Sequence, residues 1–252
     1  MTVPRDVLVV NPNTTASMTD RIGAAARAAA APTTRVLAVN PSMGPASIEG
    51  YYDEALAVPG LLDTIIRHER AARDQGGALA GIVIACFDDV GLDAARCVAD
   101  APVVGICEAA MQTAGLLGGS MGVVTTLNRS VPALERLAQR YGVADRCTVR
   151  AAEVPVLALE DPASGALDRM RAVIARLLDE DGAECIVLGC AGMADLARSL
   201  RQEFGVPVVD GVSAAVTLVE GLATLGLRTS KRGGYAAPLP KAYTGVLAGF
   251  AP

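Results

Sequence analysis

Two stretches of the chain spell the same local structure. In Cys185-Ile186-Val187-Leu188-Gly189-Cys190-Ala191-Gly192-Met193, a short apolar run ends in a Gly-Cys turn and a helical pattern follows. In Ile82-Val83-Ile84-Ala85-Cys86-Phe87-Asp88-Asp89-Val90-Gly91-Leu92, an apolar run again ends in a cysteine and turns towards a helix. Each reads as a buried strand that delivers a cysteine at its end. The echo continues downstream. Cys86 is followed after 16 residues by Pro102-Val103-Val104 and then Ala109-Ala110, and Cys190 after 17 by Pro207-Val208-Val209 and then Ala214-Ala215. Upstream, Val9-Val10-Asn11-Pro12-Asn13-Thr14-Thr15 pairs loosely with Val123-Val124-Thr125-Thr126-Leu127-Asn128-Arg129. Such an internal repeat implies two related α/β halves, each presenting one cysteine.

The rest of the chain fits that frame. Strand patterns at 7–10, 36–39, 80–85 and 103–104 alternate with helical patterns at 18–30, 53–73 and 108–117, and the alternation resumes after Leu117-Gly118-Gly119-Ser120. Strands alternating with helices give parallel sheets, whose ligands bind beyond the carboxyl ends of the strands. Asn11, Cys86, Thr125 and Cys190 all fall at such ends. The expected fold is therefore α/β: two similar parallel-sheet domains related by pseudo-twofold symmetry, with the active site in the cleft between them. Residues 1–117 plus 220–252 form the first, discontinuous domain with Cys86, and residues 118–219 the second with Cys190. The irregular tail from Thr229, with its short apolar segment 246–250, is expected to pack back on the first half. The loop 40–52 is long enough to cover a pocket.

Composition narrows the chemistry. The net charge is −5 with no basic run, so nucleic acid and acidic membrane surfaces are poor partners. The opening Met1-Thr2-Val3-Pro4-Arg5-Asp6 does not read as a secretory leader, and no apolar stretch has spanning length, which points to the cytoplasm. Among the six cysteines there is no Cys-x-x-Cys, and His68 is the only histidine. Thioredoxin-type exchange, zinc ribbons, multi-histidine metal sites and Ser-His or Cys-His nucleophiles all lose their ligands or bases. Acid–base work then falls to thiols or carboxylates.

A cysteine at a strand end, facing the N-terminus of a helix, is expected to be a good thiolate. Two of them on opposite sides of one cleft suit inversion of a stereocentre. One thiolate removes a proton from a carbon acid while the other, as thiol, protonates the opposite face. Backbone N–H groups after each cysteine, with Thr125 and Thr126, would hold the developing enolate oxygen. Cys97, Cys107, Cys147 and Cys185 lack the matched position and read as small buried hydrophobes. Asp88, Asp89 and Glu108 are candidate carboxylate helpers, with Asp88 and Asp89 better explained as helix N-terminal caps.

At this level the sequence resembles a known family. The opening Val10-Asn11-Pro12-Asn13-Thr14-Thr15, the loop Gly44-Pro45-Ala46-Ser47-Ile48-Glu49-Gly50, Ala85-Cys86-Phe87-Asp88-Asp89, Val123-Val124-Thr125-Thr126-Leu127 and Gly189-Cys190-Ala191-Gly192-Met193 are similar to the motifs of hydantoin racemases. These belong to the aspartate/glutamate racemase superfamily and have allantoin racemases as close relatives. The resemblance implies a racemase that needs no cofactor or metal and acts at C5 of a cyclic ureide, with Cys86 and Cys190 as the acid–base pair. It further implies that Asn13, Ile48, Phe87, Thr125, Thr126, Ala191 and Gly192 contact the substrate. The expected partners are that small ureide and further copies of the same chain. Amino-acid racemases of the superfamily carry Cys-Asn-Thr and Cys-Thr-His where this chain has Cys-Phe-Asp and Cys-Ala-Gly, which argues against a free amino acid as substrate. Asp89-Val90-Gly91 replaces the family's usual Asp-Pro-Gly. The leading substrate is a 5-substituted hydantoin and the alternative is allantoin. A ureide-binding sensor and a thiol redox protein are the non-racemase alternatives.

Overall fold

The computed structural model describes residues 5–252, so the first four residues of the expected first domain and of the leader reading lie outside it. Two four-stranded parallel sheets repeat one plan. The first holds β1 (Arg5–Val10), β2 (Thr34–Val39), β3 (Gly81–Ile84) and β4 (Val103–Gly105) in the order β2-β1-β3-β4. The second holds β5 (Met121–Thr125), β6 (Cys147–Ala151), β7 (Cys185–Leu188) and β8 (Val208–Asp210) in the order β6-β5-β7-β8. Register repeats too: Val10 pairs with Ile84 at the end of β1/β3, and Val124 with Leu188 at the end of β5/β7. Cys86 and Cys190 therefore lie two residues beyond equivalent strand ends. In both sheets the strand order reverses between these central strands, and such a switch point opens a crevice at the carboxyl edge.

The central strands are buried on both faces, which is why they read as continuous β-branched runs rather than alternating ones. Eight helices cover them: α1 (Ala16–Ala29), α2 (Tyr51–Asp74), α3 (Leu92–Val98), α4 (Ile106–Ala114), α5 (Val131–Arg140), α6 (Ala166–Asp179), α7 (Ala197–Phe204) and α8 (Gly211–Thr224). The chain crosses between the sheets twice. Helix α4 leaves the first sheet and packs on β7 and β8, while α8 leaves the second and packs on β3 and β4. The two crossing helices also pack on each other, with the Gly211 backbone set directly against the Ile106 carbonyl. A side chain at Gly211 would collide there, so this contact requires glycine. One apolar core consequently runs from Val7 and Val83 through Ala110 and Val216 to Val123 and Val187. Truncating a fully buried member such as Leu134 to alanine removes about 2–5 kcal/mol.

Two expectations are corrected here. Helix α2 begins at Tyr51, so the loop ends at residue 50, and both tyrosines are exposed on the first turn. The tail packs on the first half only as far as Tyr235. Lys231 Nζ donates to the carbonyls of Arg96 and Cys97, and Tyr235 hydroxyl donates to Asp93 while its ring lies under the Arg96 guanidinium. The apolar segment beyond it is mostly exposed, Val246 at 96%, with Phe250 half-buried. Pro238 and Pro240 fall in the intervening irregular, exposed stretch, where neither a helix nor a strand can run through them. Among the described residues, no helix is long and apolar enough to cross a membrane.

Candidate active site

The carboxyl edges of the two sheets face each other across a small cavity. The first half lines it with Asn11, Asn13, Met18, Ile48, Ala85, Cys86, Phe87 and Asp88. The second lines it with Thr125, Thr126, Ser130, Val156, Gly189, Cys190 and Ala191. Its free volume is about 40 Å³, water-sized rather than ring-sized, so the cleft stands closed. Contacts between the two halves hold it so. The Val156 N–H donates to the Glu49 carboxylate at 2.9 Å, and Arg21 donates to the Leu159 carbonyl and pairs with Asp195 at 3.1 Å. A roomier groove of about 660 Å³ lies beside β8, but its lining has no thiol and no partner from the first sheet.

The backbone N–H two residues on, that of Asp88 for Cys86 and of Gly192 for Cys190, lowers each thiol's proton affinity. The expectation of a ready thiolate is nevertheless corrected. Burial pushes Cys86 well above the usual thiol range, with the Asp88 charge adding to it. Burial likewise raises Cys190, to about 11, against the pull of the Gly192 N–H. Desolvation of a buried anion outweighs one N–H, and no full helix dipole is aimed at either sulfur. Cys190 is followed by a short 3-10 helix, Ala191–Leu196, and the residues after Cys86 form a turn until Leu92.

The carboxylates separate by role. Asp88 lines the cavity, and burial with the neighbouring Glu54 and Asp89 raises it to about 7. Asp89 points elsewhere. It caps a helix, but α4 rather than the α3 that follows it, accepting from the N–H groups of Cys107 and Glu108 at 3.0 and 2.9 Å. The Tyr141 hydroxyl of the second half donates to the same carboxylate at 2.6 Å. Burial still raises Asp89 to about 7 against these donors. Glu108 pairs with Arg96 and does not line the cavity.

Of the residues singled out by sequence, Asn13, Ile48, Phe87, Thr125, Thr126 and Ala191 line the cavity beside the two thiols. Gly192 does not line it and contributes its N–H to Cys190. Sequence reasoning missed Met18, Ser130 and Val156 as wall residues. Ser130 closes the turn after β5, and Val156 lies in a Pro-flanked segment, a signal that marked an irregular loop without revealing where it points. Among polar groups, Asn13 Oδ1 accepts from Asn11 Nδ2 at 2.8 Å and from the Thr15 N–H at 2.9 Å. That fixes the amide so that its Nδ2 meets only the Met18 sulfur, a weak acceptor. The hydroxyls of Thr125, Thr126 and Ser130 bond to no other described residue. Cys97, Cys107, Cys147 and Cys185 lie outside the cavity, and all six cysteines are free thiols.

Relatives carry the same architecture. The profile of the Asp/Glu/Hydantoin racemase family matches residues 7–219. A hydantoin racemase from Rhizobium meliloti is 48% identical over 94% of this chain and 96% of its own length. One from Pseudomonas sp. (strain NS671) is 46% identical over 97% of this chain and 96% of its own. The solved allantoin racemase from Klebsiella pneumoniae superposes with a TM-score of 0.92 at 49% identity, covering 98% of this chain and 99% of that one. A family match over both sheets, with near-half identity along almost the whole length, makes this chain a member of the Asp/Glu/hydantoin racemase family and so an isomerase.

Proposed function

We propose that the chain racemises C5 of 5-substituted hydantoins with Cys86 and Cys190 as a two-sided acid–base pair. The observation that carries this reading is the placement of the thiols. They lie two residues past equivalent strands of two facing sheets and line one cavity.

The C5–H bond of a hydantoin is adjacent to the C4 carbonyl, so its electron pair delocalises into that carbonyl when the proton leaves. The Cys190 thiolate takes the proton, forming an S–H bond as C–H breaks. The Cys86 thiol then delivers its own proton to the opposite face of the planar enolate and is left as thiolate. One proton leaves and one arrives, and no electrons change hands. The product configuration is inverted and the enzyme is set to run the other enantiomer. The oriented Asn13 amide and the hydroxyls of Thr125, Thr126 and Ser130 supply donors for the ring carbonyls and the developing enolate oxygen. Met18, Ile48, Phe87 and Val156 supply apolar walls for the ring. Because the cavity is smaller than the ring, the loops carrying Glu49 and Val156 separate to admit substrate and close again around it.

Polarimetry tests the reading. Enantiopure 5-isobutylhydantoin or allantoin, in reducing buffer, loses optical rotation faster with protein than in a blank. Rotation that decays at the blank rate for both compounds overturns the racemase assignment to this cavity.

A further inference from the structure

We propose that Asp88, backed by Glu54, makes this cavity selective for C5 substituents that carry N–H donors, such as the ureido group of allantoin, over alkyl substituents of the same shape. The inference rests on the racemase reading and deepens it.

Asp88 is the only acidic side chain among the residues lining the cavity. Its carboxylate accepts no hydrogen bond from any other described residue. The charged groups that act on it are Glu54 and Asp89, both acids. Asp89 already has its donors in the N–H groups of Cys107 and Glu108 and the Tyr141 hydroxyl. Glu54 has none for Oε1, which is buried without a partner. Its place on α2 explains the meeting. Ala57, one turn on along the same face, packs with Ile48, Val90 and Cys86 in a small apolar cluster, so Glu54 looks towards the Cys86 turn. A position in the first turn of a helix accounts for a negative charge there but supplies Oε1 with no donor.

The donors and acceptors of the wall are thus divided. Asn13, Thr125, Thr126 and Ser130 present N–H and O–H groups that suit ring carbonyls. Asp88 presents oxygens that only accept while ionised. An alkyl substituent laid against Asp88 strips its water and gives nothing back, whereas a ureido group returns two kinds of N–H. A site built to bond a substrate N–H discriminates strongly against analogues that lack it. The raised affinity of Asp88 for a proton agrees with a carboxylate that waits for a donor.

The test compares kcat/KM for enantiopure allantoin and 5-isobutylhydantoin, whose substituent has the same branched skeleton without N–H groups. The wild-type chain should favour allantoin by about tenfold or more. Asp88→Asn should cut that ratio by about tenfold, and Glu54→Gln by about threefold. The ratio is the useful readout because both substrates share the thiols, so altered thiol ionisation or partial misfolding cancels. A wild-type preference for the isobutyl compound, or a ratio unchanged in both variants, overturns the proposal. Equal losses on both substrates also overturn it and place Asp88 against the ring or the chemical step. A wild-type chain inert towards both compounds overturns the racemase reading itself, and this one with it.

Discussion

The turn that carries Cys86 and the turn that carries Cys190 occupy equivalent places in equivalent sheets, yet they are supported differently. The Cys86 turn is long, with Asp89 at φ 45° and Gly91 at φ 66°, and it is pinned by the Asp89 carboxylate to the start of α4 and to Tyr141. The same carboxylate abuts Gly105 so closely that only glycine fits there. The Cys190 turn runs straight into a 3-10 helix, and the carboxylate that helix carries, Asp195, pairs with Arg21 of α1 rather than capping a helix. Burial and the Asp88 and Glu49 charges raise Cys190, while the Gly192 N–H and, less strongly, the Arg21 charge from α1 of the first half pull against them. Duplicated topology thus places two thiols alike, while local supports make Cys190 the less reluctant to ionise.

The largest effect comes from breaking the pair itself. Cys86→Ser or Cys190→Ser should lower racemisation in both directions by about 10³-fold, within the usual range for loss of an acid–base group. Proton exchange sharpens the comparison. In deuterated water each serine variant should still wash deuterium into C5 of the enantiomer facing its surviving thiol, and the two variants should choose opposite enantiomers. Near-normal racemisation by either variant breaks the two-sided scheme. Cys147→Ser is the control, because that residue opens β6 at the far, amino end of the strand and lies outside the cavity. It should leave kcat within about twofold of wild type.

The next effect addresses support rather than chemistry. Asp89→Asn keeps the shape but turns one acceptor into a donor facing N–H or O–H groups. Stability in urea should fall by about 1–3 kcal/mol, as for a buried polar group left unsatisfied. Tyr141→Phe should cost about 0.5–1.5 kcal/mol, since it removes one donor and leaves the two N–H bonds intact. Should Asp89→Asn match wild type in urea, the anchoring role drawn from this geometry fails. The equivalent position of the Cys190 turn offers no such handle.

The difference between the turns also shows what was readable in sequence. The paired strands and their cysteines were legible because continuous β-branched runs, turn residues and Cys-to-Pro spacing are local signals. Thiol acidity is not legible there for the converse reason. A helix N-terminus is visible in sequence, but the desolvation that defeats it comes from Ile48, Val156 and the opposite sheet, which only the closed fold brings together. Asp89 reads as a cap in sequence and is one, yet its partners lie 18, 19 and 52 residues away. Met18, Ser130 and Val156 escaped notice because each is an ordinary residue whose role depends on which way its loop or helix faces. The start of α2 is hidden in sequence because Tyr51-Tyr52 after Gly50 looks like a turn continuing, whereas Gly50 ends it.

The smallest and most discriminating effect is in proton affinity. Both thiols sit above neutral pH, so the resting chain holds them protonated, and the thiolate fraction rises about tenfold per pH unit below the lower of the two. The log of kcat/KM should therefore climb with a slope of about one from pH 7 to 9 and flatten only near pH 11, where Cys190 ionises. Asp88 raises both thiols by its negative charge, so Asp88→Asn should move that limb to lower pH. A limb that moves upward, or stays put, would mean that Asp88 does not act on the thiols through its charge. Iodoacetamide at mildly alkaline pH should then mark Cys190 a few-fold faster than Cys86, because only the thiolate reacts and Arg21 favours it at Cys190 alone. Equal labelling would mean that the two turns, though built differently, present the same thiol to solvent, and the asymmetry would lie in their mechanical support only.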